Sequence, residues 1–123
     1  MSTPDFLALY VKDLPKSTDF YKKLFGLDPA AQRPGFTVFA LPNGFMFSLW
    51  LTGTVEPEAE ITGGGAEYGI KIDDEAALRA SYESSKSGGL TVIQTPTQMN
   101  FGLTYVVEDP DRHRIRYYVP AAA

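Results

Sequence analysis

The pattern of hydrophobic and polar positions along this chain is written twice. DFLALYV (5–11) alternates and is rich in strand formers, so it predicts a strand. Asp13 follows, with Pro15 suited to the first turn of a helix. In PKSTDFYKKLFG the residues Phe20, Leu24 and, just beyond it, Leu27 stand at helical spacing, and Gly26 is a stop. Two apolar runs come next, FTVFAL (36–41) and FMFSLWL (45–51). They are joined by Pro42-Asn43-Gly44, and Asn-Gly between apolar runs predicts a hairpin. A polar, Gly-rich stretch (52–65) closes the first half with GGG.

The order then recurs. AEYGIKI (66–72) predicts a strand, Asp73 or Asp74 can cap a helix through about Lys86, and Gly88-Gly89 ends it. LTVIQT (90–95) is a further strand. GLTYVVE (102–108) pairs through Asp109-Pro110-Asp111-Arg112 with RIRYYV (114–119). Asp13 and Asp74 lie 61 positions apart and Pro42 and Pro110 lie 68 apart, so the second copy carries a loop insertion. The expected fold class is α+β: tandem β-α-β-β-β modules forming curved mixed sheets around a cleft, each sheet with one face under its helix. The expected organisation is a single domain over 1–123, with module one at about 5–51, a linker at 52–65 and module two at about 66–119.

Composition narrows the function. At 123 residues the chain is long enough for one domain with a real core, and 44% apolar residues match the globular average. The longest nearly apolar run, Gly44 to Leu51, is too short to span a bilayer, so no membrane partner is expected. MSTPDF lacks a basic segment followed by an apolar stretch, so no secretory signal is read there. The chain has no cysteine, which removes disulfides and thiolate chemistry and suits a cytoplasmic protein. A net charge of −4 argues against nucleic acid. Arg112, Arg114 and Arg116 alternate near the end, so on a strand they share one face and allow a local anion site.

YVKDLPKSTDFYKKLFGL (10–27) and DPDRHRIRYYVP (109–120) resemble the paired motifs of the vicinal oxygen chelate superfamily, which includes glyoxalase I, extradiol dioxygenases and bleomycin-binding proteins. The resemblance spans essentially the whole chain. FSLW (47–50), EYGIKI (67–72) and FGLTYVVEDPDRHRIR (101–116) further resemble the phenazine-resistance branch, whose members bind aromatic antibiotics without transforming them. One departure is Arg112, where that family usually has glycine in a tight turn. The resemblance also implies two modules around each cleft and a homodimer, with the GGG linker permitting modules to pair within or between chains.

In metal-dependent relatives of this superfamily the ligands come from the first strand of each module and its last strand. Carried over residue by residue, those positions hold Phe6, Ser48, Glu67 and Arg116. Phenylalanine cannot coordinate a metal, and a guanidinium repels one. One carboxylate does not make a catalytic site for a divalent ion, so neither metal nor cofactor is expected. Glu67 and Arg116 should instead form an ion pair.

By alternation Phe6, Ala8 and Tyr10 face a cleft while Leu7, Leu9 and Val11 pack on the helix. Met46, Ser48 and Trp50 are in phase with Arg114, Arg116 and Tyr118. The expected ligand-binding residues are therefore Phe6, Tyr10, Met46, Ser48, Trp50, Glu67, Arg114, Arg116 and Tyr118, serving a small planar aromatic, antibiotic-like molecule. The match of Trp50 to a stacking tryptophan is implied by the resemblance. The bland reading places the same aromatics in a sheet core or a dimer contact. The competing functional reading is a glyoxalase- or dioxygenase-type enzyme with Glu67 as general base, against which a neighbouring guanidinium works. His113, the single histidine, is out of phase with Arg114 and Arg116, which leaves no Ser-His-Asp arrangement.

Overall fold

The computed structural model describes residues 3–61 and 63–121. The chain divides into two compact units at Gly65 and Ala66. In the first, the elements run β1 (Phe6–Val11), α1 (Leu14–Phe25), β2 (Ala31–Arg33), β3 (Phe36–Ala40) and β4 (Met46–Leu51), followed by a 3₁₀ turn at Thr52–Thr54. The second repeats the order with β5 (Glu67–Lys71), α2 (Glu75–Ser87), β6 (Thr91–Met99), β7 (Gly102–Glu108) and β8 (Arg114–Pro120). Each unit is a four-stranded mixed sheet carrying one helix, in the order β1-β4-β3-β2 and β5-β8-β7-β6. The first strand of each lies parallel to the last, and the remaining pairs are antiparallel.

The helix starts follow local chemistry. Asp13 caps α1 by accepting from the Lys16 backbone N–H at 3.0 Å, and Asp74 caps α2 by accepting from Ala77 N–H at 2.8 Å. Gly26 ends α1, its N–H donating to the Lys22 carbonyl at 2.9 Å. The phase of α1 differs from the one read off Phe20, Leu24 and Leu27: the buried face carries Ser17, Thr18 and Tyr21. The sheet side decides this. Tyr21 packs on Phe47 with ring centroids 4.9 Å apart, Phe25 meets Phe47 at 5.0 Å and Phe39 at 5.8 Å, and Thr18 Oγ1 bonds Thr37 Oγ1 at 3.0 Å. Leu9, Val11 and Leu49 complete this apolar layer, each large side chain worth roughly 1.5–3 kcal/mol of burial.

The layer under α2 is built from tyrosine instead. Tyr105 and Tyr117 stack with centroids 4.7 Å apart and planes 9° apart, with Leu78, Val107 and Ile115 buried in the same unit. The Tyr105 hydroxyl meets Ser81 Oγ at 2.6 Å and Ser85 Oγ at 3.0 Å, both from α2. Burial, and secondarily Tyr105, pushes the Tyr117 phenol up to about 12.

Two strands depart from expectation. β2 is a three-residue edge strand, AQR, with no apolar signal. β6 runs through Pro96 to Met99 rather than ending at Thr95. Its pairing with β7 shifts register between Val92 and Gln94 and again between Gln94 and Thr97, which accommodates the proline on an edge strand.

Candidate functional site

The face of the first sheet turned away from α1 follows from strand register. Phe6, Ala8 and Tyr10 on β1 stand beside Met46, Ser48 and Trp50 on β4, which stand beside Ala40, Val38 and Phe36 on β3. The Asn43–Gly44 turn sets the β3–β4 register: Gly44 takes φ 90°, and the Asn43 side chain accepts from Phe45 N–H at 3.0 Å. Trp50 lies at the centre of an aromatic row. Tyr10 meets it edge-on at 6.4 Å and 78°, and Phe36 meets it edge-on from the other side at 5.5 Å and 84°. The two edge-to-face neighbours pack against the indole, which remains half-buried. Ser48, two residues earlier, is fully buried (0% exposed), and its Oγ has no hydrogen-bond partner. Phe6 is about half exposed, at 49%, and Met46 is half-buried.

The matching face of the second sheet is polar and internally satisfied. Arg116 donates from Nε to Glu67 Oε2 at 3.0 Å and from Nη2 to Glu67 Oε1 at 3.3 Å, a fork on a carboxylate. Its Nη1 donates to Gln94 Oε1 at 3.1 Å and to Thr104 Oγ1 at 3.3 Å. The Phe101 ring lies 5.6 Å from the guanidinium carbon. Arg114 is exposed, two residues before Arg116 on the same face, and Tyr118 is half-buried two residues after it. Gly69, the register partner of Arg116, lies beneath Tyr118: a Cβ there would come within 3.1 Å of the Tyr118 ring.

The positions that the superfamily resemblance gives to metal ligands do not fit a divalent ion. Module one offers a phenyl ring and a hydroxyl, Phe6 and Ser48. Module two offers one carboxylate, Glu67, with both oxygens already bound to Arg116. Among the described residues no group of three or more His, Cys, Asp or Glu is placed to hold an ion. His113 is 3% exposed and sits in the β7–β8 turn, where Asp109 Oδ1 accepts from the backbone N–H of His113 at 2.9 Å and of Asp111 at 2.8 Å. A separate recess of about 600 Å³ is lined by Thr52 to Ala59 and contains none of the expected site residues.

Three participants escaped the residue-by-residue reading: Phe36, Gln94 and Thr104. A signal for two of them existed. Folding the hairpins about Asn43–Gly44 and Asp109–Arg112 brings Phe36 opposite Trp50 and Thr104 opposite Tyr118. Gln94 depends on the irregular β6 register, which no local pattern specifies.

Comparison with known proteins places this geometry in context. Residues 3–117 match the model of the Glyoxalase/Bleomycin resistance protein/Dioxygenase superfamily. The chain is 34% identical over 117 residues to the phenazine antibiotic resistance protein EhpR of Enterobacter agglomerans, covering 93% of this chain and 89% of that protein. It is 30% identical over 103 residues to a trivalent organoarsenical cleaving enzyme of Thermomonospora curvata, covering 84% of this chain and 64% of that one. Among solved structures, protein ATC0852 of Agrobacterium tumefaciens superposes with a TM-score of 0.89 at 43% identity, covering 99% of this chain and 100% of that one. A Nocardioides glyoxalase/bleomycin resistance protein/dioxygenase shares the fold with a TM-score of 0.86 at 19% identity, covering 100% of this chain and 86% of that one.

Proposed function

The chain belongs to the Glyoxalase/Bleomycin resistance protein/Dioxygenase superfamily, and from that premise we propose that it binds a planar aromatic, antibiotic-like small molecule on the Trp50 face of module one and holds it without transforming it. The observation that carries this reading is the row Tyr10–Trp50–Phe36. Two edge-on rings fix a half-buried indole on a sheet face that bears no charged side chain on β1, β3 or β4. A flat ring laid on Trp50 gains apolar burial and about 0.5–1.5 kcal/mol of ring–ring attraction besides. Met46, flexible and half-buried on the same strand, can adapt to substituents. The similarity to a phenazine antibiotic resistance protein supports the same ligand class and a role in resistance by binding.

A second reading, turnover with Glu67 as base, is favoured by the similarity to an organoarsenical cleaving enzyme. Against it stands the Arg116 fork, which occupies both Glu67 oxygens. Calorimetric titration with phenazine-2-carboxylate, followed by mass analysis of the recovered ligand, separates the two. We expect saturable binding, an intact ligand, and an affinity loss of about thirtyfold, or roughly 2 kcal/mol, in Trp50→Ala. Unaltered affinity in a folded Trp50→Ala would assign the indole to packing. Steady accumulation of a product would turn the reading to the enzyme.

A further inference from the structure

A buried hydroxyl without a partner is uncommon, and the two-fold repetition of the chain explains how this one arose. Ser48 and Arg116 hold matching places: each stands two residues before the ring, Trp50 or Tyr118, on the strand parallel to the first strand of its unit. In module two the neighbours of that place are Glu67, Gln94 and Thr104, and they satisfy Arg116. In module one the matching neighbours are Phe6, Ala31 and Phe36, which offer no side-chain acceptor. The register partners of Ser48 across the sheet, Ala8 and Val38, are apolar as well. The Ser48 hydroxyl is therefore fully buried and unpaired inside an apolar face. Its walls are more open: Ala8, Val38, Met46 and Trp50 are all half-buried.

We infer that Ser48 is a specificity-determining residue that donates a hydrogen bond to an in-plane acceptor of the ligand, a ring nitrogen or ring carbonyl, while the ring stacks on Trp50. This rests on the proposed binding at Trp50 and selects within it. The two side chains leave the same strand on the same face, about 7 Å apart along it. A fused ring system lying on the indole extends over that distance, and its edge meets the buried hydroxyl once a half-buried neighbour such as the flexible Met46 side chain is displaced. An acceptor is specified rather than a donor because an unmade donor is the costlier state in a buried site, whereas acceptors tolerate under-satisfaction. A hydrocarbon ring of the same shape would leave the hydroxyl orphaned, so the site discriminates against it.

The test compares phenazine-2-carboxylate with anthracene-2-carboxylate, which share shape and charge and differ only in ring nitrogens against C–H. Both are titrated against wild type, Ser48→Ala and Trp50→Ala. The preference of wild type for the phenazine, taken as the ratio of the two Kd values, should fall about tenfold in Ser48→Ala. Affinity for the anthracene should stay within twofold, and the free variant should melt no lower than wild type. In Trp50→Ala both ligands should weaken together. An unchanged ratio in Ser48→Ala overturns the inference while leaving stacking at Trp50 intact. A melting temperature several degrees lower in Ser48→Ala overturns it too, because the hydroxyl would then be bonded within the protein. Failure of wild type to bind either ligand removes this inference and the binding reading together.

Discussion

Module one and module two place the same backbone under different chemistry. Phe6, Met46, Ser48 and Trp50 in the first stand where Glu67, Arg114, Arg116 and Tyr118 stand in the second, as the two strand registers show. The apolar face keeps one unanswered hydroxyl, whereas the polar face closes on itself through a fork from Arg116 to Glu67 and two further hydrogen bonds. The difference extends to the opposite side of each sheet. Under α1 the layer is mainly phenylalanine, with Phe25, Phe39 and Phe47 around Tyr21. Under α2 it is a tyrosine stack anchored by serine hydroxyls. A repeated fold thus tolerates complete exchange of side-chain chemistry, provided that each buried polar group arrives with its partners. Ser48 is the place where that provision is not met within the module.

Arg116→Ala should break the comparison most strongly. It removes four hydrogen bonds at once and strips Glu67, Gln94 and Thr104 of their donor. Because Glu67 remains 42% exposed and its pairing is screened by solvent, the expected loss is about 2 kcal/mol in denaturant unfolding. Ser48→Ala, at the matching place, should change stability by less than about 0.5 kcal/mol. Equal effects at the two places would mean that the network does not hold the second sheet.

A smaller effect is expected at alkaline pH, and it should arise in module two. The folded Tyr117 titrates near 12, against about 10 for an unfolded tyrosine. Below pH 10 both states keep the proton, and the full stability is present. From about pH 10 to 12 the unfolded chain releases the proton first, so stability falls as pH rises through that window. Tyr117→Phe should make the decline shallower. The matching residue of module one is Leu49, which does not titrate. An identical slope in the variant would place the sensitivity elsewhere.

The smallest effect concerns matched turns. Gly44 takes φ 90° and Arg112, in the corresponding turn, takes φ 69°, the non-glycine residue held at positive φ among those described. A side chain in the left-handed region costs about 1 kcal/mol, so Arg112→Gly should stabilise by roughly that amount and Gly44→Arg should destabilise similarly. Thermal melts of the two variants would decide; a loss of stability in Arg112→Gly would show that the arginine side chain offsets the strain.

Much of this architecture is legible in the sequence because it is local. Asp13 and Asp74 cap the helices, Asn43–Gly44 sets a hairpin, and period-two alternation sorts Leu9 from Tyr10 and Leu49 from Trp50. The phase of α1 is not legible in its apolar spacing because its buried face includes Ser17 and Thr18, and because Tyr21 rather than Phe20 packs on Phe47. β2 carries no apolar signal, and Pro96 concealed the second half of β6. The pairing of Glu67 with Arg116 followed from phase. Gln94 and Thr104 did not, because they depend on how two further strands are registered. The orphan state of Ser48 is invisible in sequence, since it is defined by what its neighbours lack.

The broken register of β6 has a consequence for self-association. A nine-residue strand at the margin of a sheet normally offers a continuous row of amide groups on which another molecule can begin a fibril. Here Pro96 supplies no N–H, and two register shifts interrupt the regular pairing within a few residues of it. The row is cut into pieces too short to template an added strand, and the corresponding margin of the first sheet, β2, is only three residues long. The irregularity that hides half of this strand from the alternation pattern also makes that margin a poor template for an added strand.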